Sequence, residues 1–362
     1  MRASSRKLLI AVVGAGLLGF LAYRARGFFH FGDFSGARLL HVIRDANLFL
    51  LALSVLAIYG CYALRALRWG VFQQNLGPSR FSNIYAMTLA GFSAVFLLGR
   101  AGEPIRPLLL ARKEKLPISG EFGIYVLERL FDAASTAVIA AIGLLLFESH
   151  AHAGETAGKL QTAAKTTGSV LFAGVLAAVL LLVYLRVHGT ALLERRLRPI
   201  VAAHGWKARF AVIILEFARG VQTIRTWGQL ALAVLYSTAH WFLVLLVYLW
   251  VSHSFGGKLA GITLSDAMLV MAFTLVGSAV QVPGVGGGSQ AGSIIAYTAI
   301  FGVEREPAVA AAIVLWLISF AMCSVVGLPL LIHQGWSLGE LRQMAKQEKA
   351  SELQSAPGEI AE

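Results

Sequence analysis

The chain has 362 residues, 57% of them hydrophobic, a mean hydropathy of +0.71 and only 14% charged residues. Soluble domains carry about 25% charge, so this composition excludes an ordinary globular enzyme and reads as a polytopic membrane protein. The net charge of +12 is dispersed between apolar runs, which excludes a nucleic-acid binder and suits cytoplasmic loops facing anionic lipid headgroups.

In chain order, Arg2, Arg6 and Lys7 precede an apolar run at 8–23 that imitates a signal peptide. Tyr23-Arg24-Ala25-Arg26 is a poor cleavage site, so an uncleaved first helix is expected. Apolar runs come next at 47–64, 122–147, 168–187, 229–251 and 308–333, close to the ~20 residues that cross a bilayer. Two further runs break. Residues 81–99 end in Gly99-Arg100-Ala101-Gly102-Glu103-Pro104 and resume briefly as 105–111. Residues 267–282 end in Pro283-Gly284-Val285-Gly286-Gly287-Gly288-Ser289-Gln290 and resume as 293–302.

Charge decides how these two segments sit. Five cations crowd 100–115 and eight lie in 186–228, whereas 148–167 and 252–266 hold few. If both broken segments are re-entrant hairpins, the two basic stretches and both termini fall on the cytoplasmic side. The stretch 24–46, with four arginines against two aspartates, is the one dissenter. The expected fold is an all-α membrane helix bundle with about six full crossings plus two re-entrant, Gly/Pro-broken hairpins. A broken pair in the two halves points to an inverted-repeat-like arrangement with its site at the midplane. The halves show no direct sequence identity, and ordinary extramembrane loops are the alternative at both breaks. Residues 1–336 then form a single transmembrane domain. Within it, 206–227 is an amphipathic helix in the cytoplasmic interface, with Phe210, Ile213, Ile214, Phe217, Val221 and Ile224 at helical spacing. The tail 337–362 is expected to be a disordered cytoplasmic end.

Three motifs carry charge into apolar surroundings. Glu128, Arg129 and Asp132 stand inside 122–147, where each costs roughly 2.5–3.5 kcal/mol at a helix centre on insertion scales. On a helix, Glu128 and Asp132 share a face and Arg129 lies beside Asp132 at i,i+3. They form either a polar track for a lipid headgroup or an internal salt bridge. One carboxylate is left over, with Arg100 or Arg106 as its expected partner. Arg100, Glu103 and Arg106 stand among Gly99, Gly102, Pro104 and Pro107, which bar a regular helix. Two arginines there suit bidentate phosphate binding, and equally a cytoplasmic loop rich in positive charge. The third motif, Pro283-Gly284-x-Gly286, lacks the Gly-Lys-Ser/Thr ending of a nucleotide loop, because Ser289-Gln290-Ala291 stands there. Its remaining readings are a turn that aims backbone amides and a short helix at an anion, or a hinge. His150-x-His152 reads as a polar loop, His240 and Trp241 as packing or interfacial anchors. Cys61 and Cys323 have no zinc or redox spacing. No metal, nucleotide or other cofactor is expected.

Together, Gly99-Arg100-x-Gly102-Glu103-x-x-Arg106, Glu128-Arg129-x-x-Asp132 and Pro283-Gly284-x-Gly286 resemble the transmembrane region of lysylphosphatidylglycerol synthases, a family also described as flippase-like. The resemblance spans roughly 45–335 and implies a helical bundle in the bacterial plasma membrane that moves lipids between leaflets. Two departures matter. The full synthases carry a soluble aminoacyl-transfer domain after the membrane part, and this chain ends about thirty residues past its last apolar run, so it is not expected to make lysyl lipid. The family often has Arg-Glu where Ser289-Gln290 stands, and an arginine in the last span where Leu315-Trp316 stands.

The expectation is a translocase for a phosphate-bearing lipid, a phospholipid or a polyprenyl-phosphate-linked one. Arg100, Glu103, Arg106, Glu128, Arg129, Asp132, Pro283, Gly284, Gly286 and Gln290 are its candidate headgroup residues. With no ATP motif, movement would be passive or gradient-driven. The alternatives are a lipid-modifying transferase with Glu128 or Asp132 as general base, and a non-catalytic membrane subunit of a glycosyl- or aminoacyl-transferase. Membrane lipids are the expected partners, with such a transferase the candidate protein partner.

Overall fold

The computed structural model describes residues 41–147, 155–188, 195, 224, 226–279, 281–282 and 284–333. The expected first helix at 8–23, the interfacial helix up to 223, the tail 337–362, Pro283 and the His150-x-His152 pair lie outside the described residues.

The described part is an all-α membrane bundle. Helix α1 spans Leu48–Gln73, started by Asn47, whose side chain accepts from the amides of Phe49 and Leu50. Helix α2 spans Phe81–Leu98, a 3-10 turn Gly99–Gly102, α3 Ile105–Glu114, α4 Ile118–Leu145 and α5 Glu155–His188. Helix α6 spans Trp227–Ser254 behind a Thr226–Gln229 capping box, and α7 spans Leu264–Gly277 behind a Thr263–Asp266 one. Strands β1 Gln281–Val282 and β2 Gly286–Gly287 pair antiparallel and lead into α8 Gly288–Ile295. Helix α9, Arg305–Trp316, continues through a π-turn at Leu317–Ala321 into α10, Met322–His333. A second π-turn covers Ala296–Ile300.

Leu48–Gln73, Phe81–Leu98, Trp227–Ser254 and Arg305–His333 are long and apolar enough to cross a membrane. Leu48, Leu56, Leu235, Val276 and Val325 are exposed along the described helices, as lipid-facing positions require. One departure from the sequence reading concerns α2: it has the length and composition of a crossing by itself, although the chain reverses directly after it. Another concerns α1, which runs nine residues past the expected end at 64 and so carries Arg65 and Arg68 inside the bundle.

Both broken segments are helical hairpins. In the first, α3 folds back along α2 so closely that a methyl group on Gly102 would collide with the backbone of Ala94 and Val95. In the second, α8 folds back along α7, and a methyl on Gly292 would collide with the Phe273 carbonyl. Glycine is required at both places by backbone contact. The two tips meet, where the Gly284 amide donates to the Phe96 carbonyl at 2.8 Å and Phe96 packs on Trp316 with ring centroids 5.8 Å apart.

The packing of α1–α4 is repeated by α6–α10, with α9 and α10 acting as one helix and α5, which packs on α4, standing outside the scheme. Helix α1 packs on α6, its counterpart. Helix α2 packs on α10 as α7 packs on α4, and α3 on α4 as α8 on α9. Likewise α1 meets α2 as α6 meets α7, and α1 meets α4 as α6 meets α9. The halves are structural repeats whose kinship lies in contacts rather than in residue identity. One apolar core lies between α1, α6, α7 and α9, and another between α1, α2, α3 and α4.

Replacing Gly292 by alanine inserts a methyl into backbone with no room to yield, at an expected cost of about 1–3 kcal/mol. A lower melting temperature for Gly292→Ala in detergent, with Gly174→Ala unchanged because nothing lies within 4 Å of that position, checks the packing.

Candidate functional site

Charged side chains converge where α1, α3, α4 and α6 cross. Glu128 is fully buried, and Arg68, Arg106, Asp132, Arg65 and His240 are nearly so. Arg68 Nη2 reaches Glu128 Oε1 at 2.9 Å and Asp132 Oδ1 at 2.8 Å, while its Nη1 donates to Ser237 Oγ at 2.8 Å. Arg65 Nη1 lies 3.1 Å from Glu128 Oε1 and 2.9 Å from Asp132 Oδ2, and its Nε donates to His240 Nε2 at 3.2 Å. Trp241 Nε1 donates to Asp132 Oδ1 at 3.2 Å. Arg106 pairs with Glu128 through the second carboxylate oxygen.

The elements explain the placement. Arg65 and Arg68 lie one turn apart on α1, and Glu128 and Asp132 one turn apart on α4, so two arginines face two carboxylates across one helix contact. Gly91 brings the α3 backbone against α2, since a methyl there would collide with Arg106 Cβ. The Arg106 guanidinium then lies 4.0 Å from the centre of the Trp69 ring, whose Nε1 donates to Glu121 at 2.9 Å. Stacking on an aromatic face lowers the penalty of holding that cation out of water. Arg129 lies outermost, with its side chain 39% exposed, 3.6 Å from Asp132 and 5.5 Å from the Tyr125 ring centre. The Tyr125 hydroxyl donates to Glu103.

Four arginines and four carboxylates gather here, and the ion pairs engage only two of the carboxylates, since Glu103 accepts from Tyr125 and Glu121 from Trp69. Four guanidiniums, of Arg65, Arg68, Arg106 and Arg129, surround two carboxylates, of Glu128 and Asp132. The network borders a cavity of ≈ 730 Å³, within the size range of small-molecule sites, whose charged lining is Arg65, Arg129, Glu103 and Asp132. Arg65, Glu103, Tyr125, Arg129, Asp132 and His240 line it from α1, α4, α6 and the first hairpin tip. The second hairpin and α9 contribute Gly284, Gly286 and Trp316, and the π-turn after α9 contributes Ser319. Trp316 Nε1 and Ser319 Oγ are buried there with no hydrogen-bond partner among the described residues.

Of the sequence candidates, Glu103, Arg129, Asp132, Gly284 and Gly286 line the cavity. Arg106 and Glu128 stand behind it as the inner ion pair, so the leftover carboxylate does find Arg106. Gln290 secures the glycine loop: its Nε2 donates to Val285 O at 3.0 Å and its Oε1 accepts from the Gly287 amide. The Gly284 and Gly287 amides are therefore engaged within the protein, one by Phe96 and one by Gln290. The Arg100 side chain and Pro283 lie outside the described residues.

Sequence reasoning missed Arg65 and Arg68, the main partners of the acidic pair. A signal lay in their surroundings. Leu64, Ala66, Leu67 and Trp69 carry the apolar character past both arginines, and no glycine or proline stands between Leu64 and Trp69 to end the helix. His240 and Trp241 read as packing in the sequence, and both also bond directly to the ionic network.

The model of the family described as "Lysylphosphatidylglycerol synthase TM region" matches residues 7–327 of the chain. No curated protein and no solved structure matches it.

Removing Glu128 leaves Arg65, Arg68 and Arg106 short of a buried counter-charge, and breaking such a pair costs about 3–5 kcal/mol. Glu128→Ala is expected to lower the melting temperature sharply in detergent. Arg129→Ala, at the exposed edge of the network, should stay within about 1 kcal/mol of the parent.

Proposed function

We propose, for a chain that belongs to the lysylphosphatidylglycerol synthase transmembrane-region family, that the cavity carries the phosphate-bearing headgroup of a lipid from one leaflet to the other. The observation that carries this reading is a pair of arginines, Arg65 and Arg129, on the wall of a membrane-embedded cavity, with Arg68 and Arg106 buried in the same ionic network. Ionisable groups at bilayer depth mark a polar pathway, and arginine favours phosphate through bidentate hydrogen bonds.

In this reading Arg129 and Arg65, which line the cavity, meet the phosphate first. Arg68 and Arg106 stay locked to Glu128 and supply field from behind. Glu103, held by Tyr125, and Asp132, held by Arg65 and Arg68, keep the arginines pointed and balanced. The two hairpins enter the plasma membrane from opposite faces as re-entrant elements, with their tips meeting beside the headgroup, and both termini are cytoplasmic. Such broken helices are tolerated at depth where they line a polar cavity. Movement of the lipid is passive or gradient-driven.

The test is reconstitution in liposomes holding fluorescent phospholipids, read by an impermeant quencher. The protein should speed the loss of inner-leaflet protection over empty vesicles. Arg129→Ala and Glu103→Ala should each abolish that gain while the purified protein keeps its melting temperature. Unchanged transport in both variants would sink the assignment.

A further inference from the structure

The first turn of α4 buries a carboxyl group that the headgroup site does not use. Pro117 stands at the start of that helix, and two glycines let its first turn close on the end of α1. A methyl on Gly120 would meet the Leu76 side chain at 2.7 Å, and one on Gly77 would meet Leu116 equally closely. Glu121, within this turn, is wholly buried. A carboxylate suits the positive end of a helix, but burying its charge away from water is costly.

The hydrogen bonding of Glu121 is half complete. Trp69 Nε1 donates to its Oε2 at 2.9 Å, and its Oε1 is buried with no partner among the described residues. Gln73, one turn beyond Trp69 on α1, is wholly buried with both side-chain amide atoms unpartnered. The charged groups that act on Glu121 are Arg106 and Glu114, both of α3, while α1 brings the neutral Trp69. Glu114 ends α3, half-buried, and its Oε1 also lacks a partner among the described residues. Its sequence neighbours Arg112, Lys113 and Lys115 are exposed.

Trp69 ties this buried carboxyl to the headgroup site. The Arg106 guanidinium lies 4.0 Å from the centre of its ring, and Arg106 pairs with Glu128. Arg65, Arg68 and Arg129 are within electrostatic reach of Arg106. An ionised Glu121 therefore draws on the same field of arginines that a phosphate at Arg65 and Arg129 uses. The two anions compete, and each weakens the hold on the other. A proton on Glu121 ends the competition, so the proton and the phosphate strengthen one another's binding. Such coupling is reciprocal, whichever ligand arrives first.

Resting on the phosphate-lipid reading above, we infer that Glu121 is a proton-binding site, filled from the Glu114 end of α3 as the phosphate headgroup enters the cavity. The proton comes from water through the Glu114 carboxyl to the unpartnered Oε1 of Glu121, and leaves the same way when the headgroup departs. The charge that the phosphate adds at bilayer depth is thereby offset by one removed behind it.

The experiment measures binding of labelled phosphatidylglycerol and of a polyprenyl-phosphate sugar to the full chain in detergent, from alkaline to acid buffer. A phosphodiester keeps one charge at every pH used, so a pH dependence belongs to the protein. One or both lipids should bind more tightly as the pH falls, by at least about fivefold between plateaus, the low end of coupling between sites. Glu121→Gln, fixed in the neutral form, should lose that dependence. In weakly buffered solution the parent should take up protons as the lipid binds, and Glu121→Gln should not. If Glu121→Gln does not fold, Trp69→Phe, which takes the donor from the carboxylate, should move the midpoint to higher pH. Affinity that ignores pH, a dependence that Glu121→Gln retains, or a midpoint that Trp69→Phe leaves in place overturns the inference while leaving translocation standing. Binding of neither lipid at any pH overturns both.

Discussion

A buried carboxylate held between two arginines of a neighbouring helix is the constraint on which the packing of this molecule depends. Glu128 is fully buried and shares one oxygen between Arg65 and Arg68, while Arg106 takes the other. None of these groups is tolerable alone in an apolar bundle, so each is held where the others are. The pairing sets the rotation of α1 against α4 and draws the second limb of the first hairpin inward through Arg106. The hairpin can approach only because Gly91 and Gly102 leave its backbone room. Ionic constraint and close backbone packing are therefore two parts of one arrangement.

The fold was legible where composition and breaks speak for themselves. Apolar runs of spanning length located the long helices, and glycine with proline located both hairpin tips at Gly99–Pro104 and Gly284–Gly288. The shared face of Glu128 and Asp132, with Arg129 beside it, came from helical spacing alone. Arg65 and Arg68 escaped because the apolar run was ended at its first charge, whereas the helix ignores that charge and continues to Gln73. In a membrane chain, a charge that interrupts hydropathy without glycine or proline marks a partner more than a boundary.

The repeat was legible in outline and not in residues. Two broken runs in corresponding places implied it, yet the halves share no visible identity, because packing constrains size and backbone approach more than chemistry. Trp316 entered the sequence reading only as a place without arginine. It shares a cavity with Arg129, which no local pattern records. Gln290 is the converse: a polar residue near a glycine loop that resembled a ligand contact, and whose amide the loop itself consumes.

The meeting of the hairpin tips bears on where the molecule is soft. Within each hairpin, limb lies against limb at backbone distance, an arrangement that cannot flex without breaking many contacts at once. Among the described residues, the tips are joined by one main-chain hydrogen bond, from Gly284 to Phe96, while the Phe96 ring packs on Trp316 of α9. A bond of that kind has a net worth of about 0.5–1.5 kcal/mol, only a few times thermal energy. Compliance is thus concentrated at a seam running between two stiff bodies, as in a clasp whose halves are rigid and whose catch is weak.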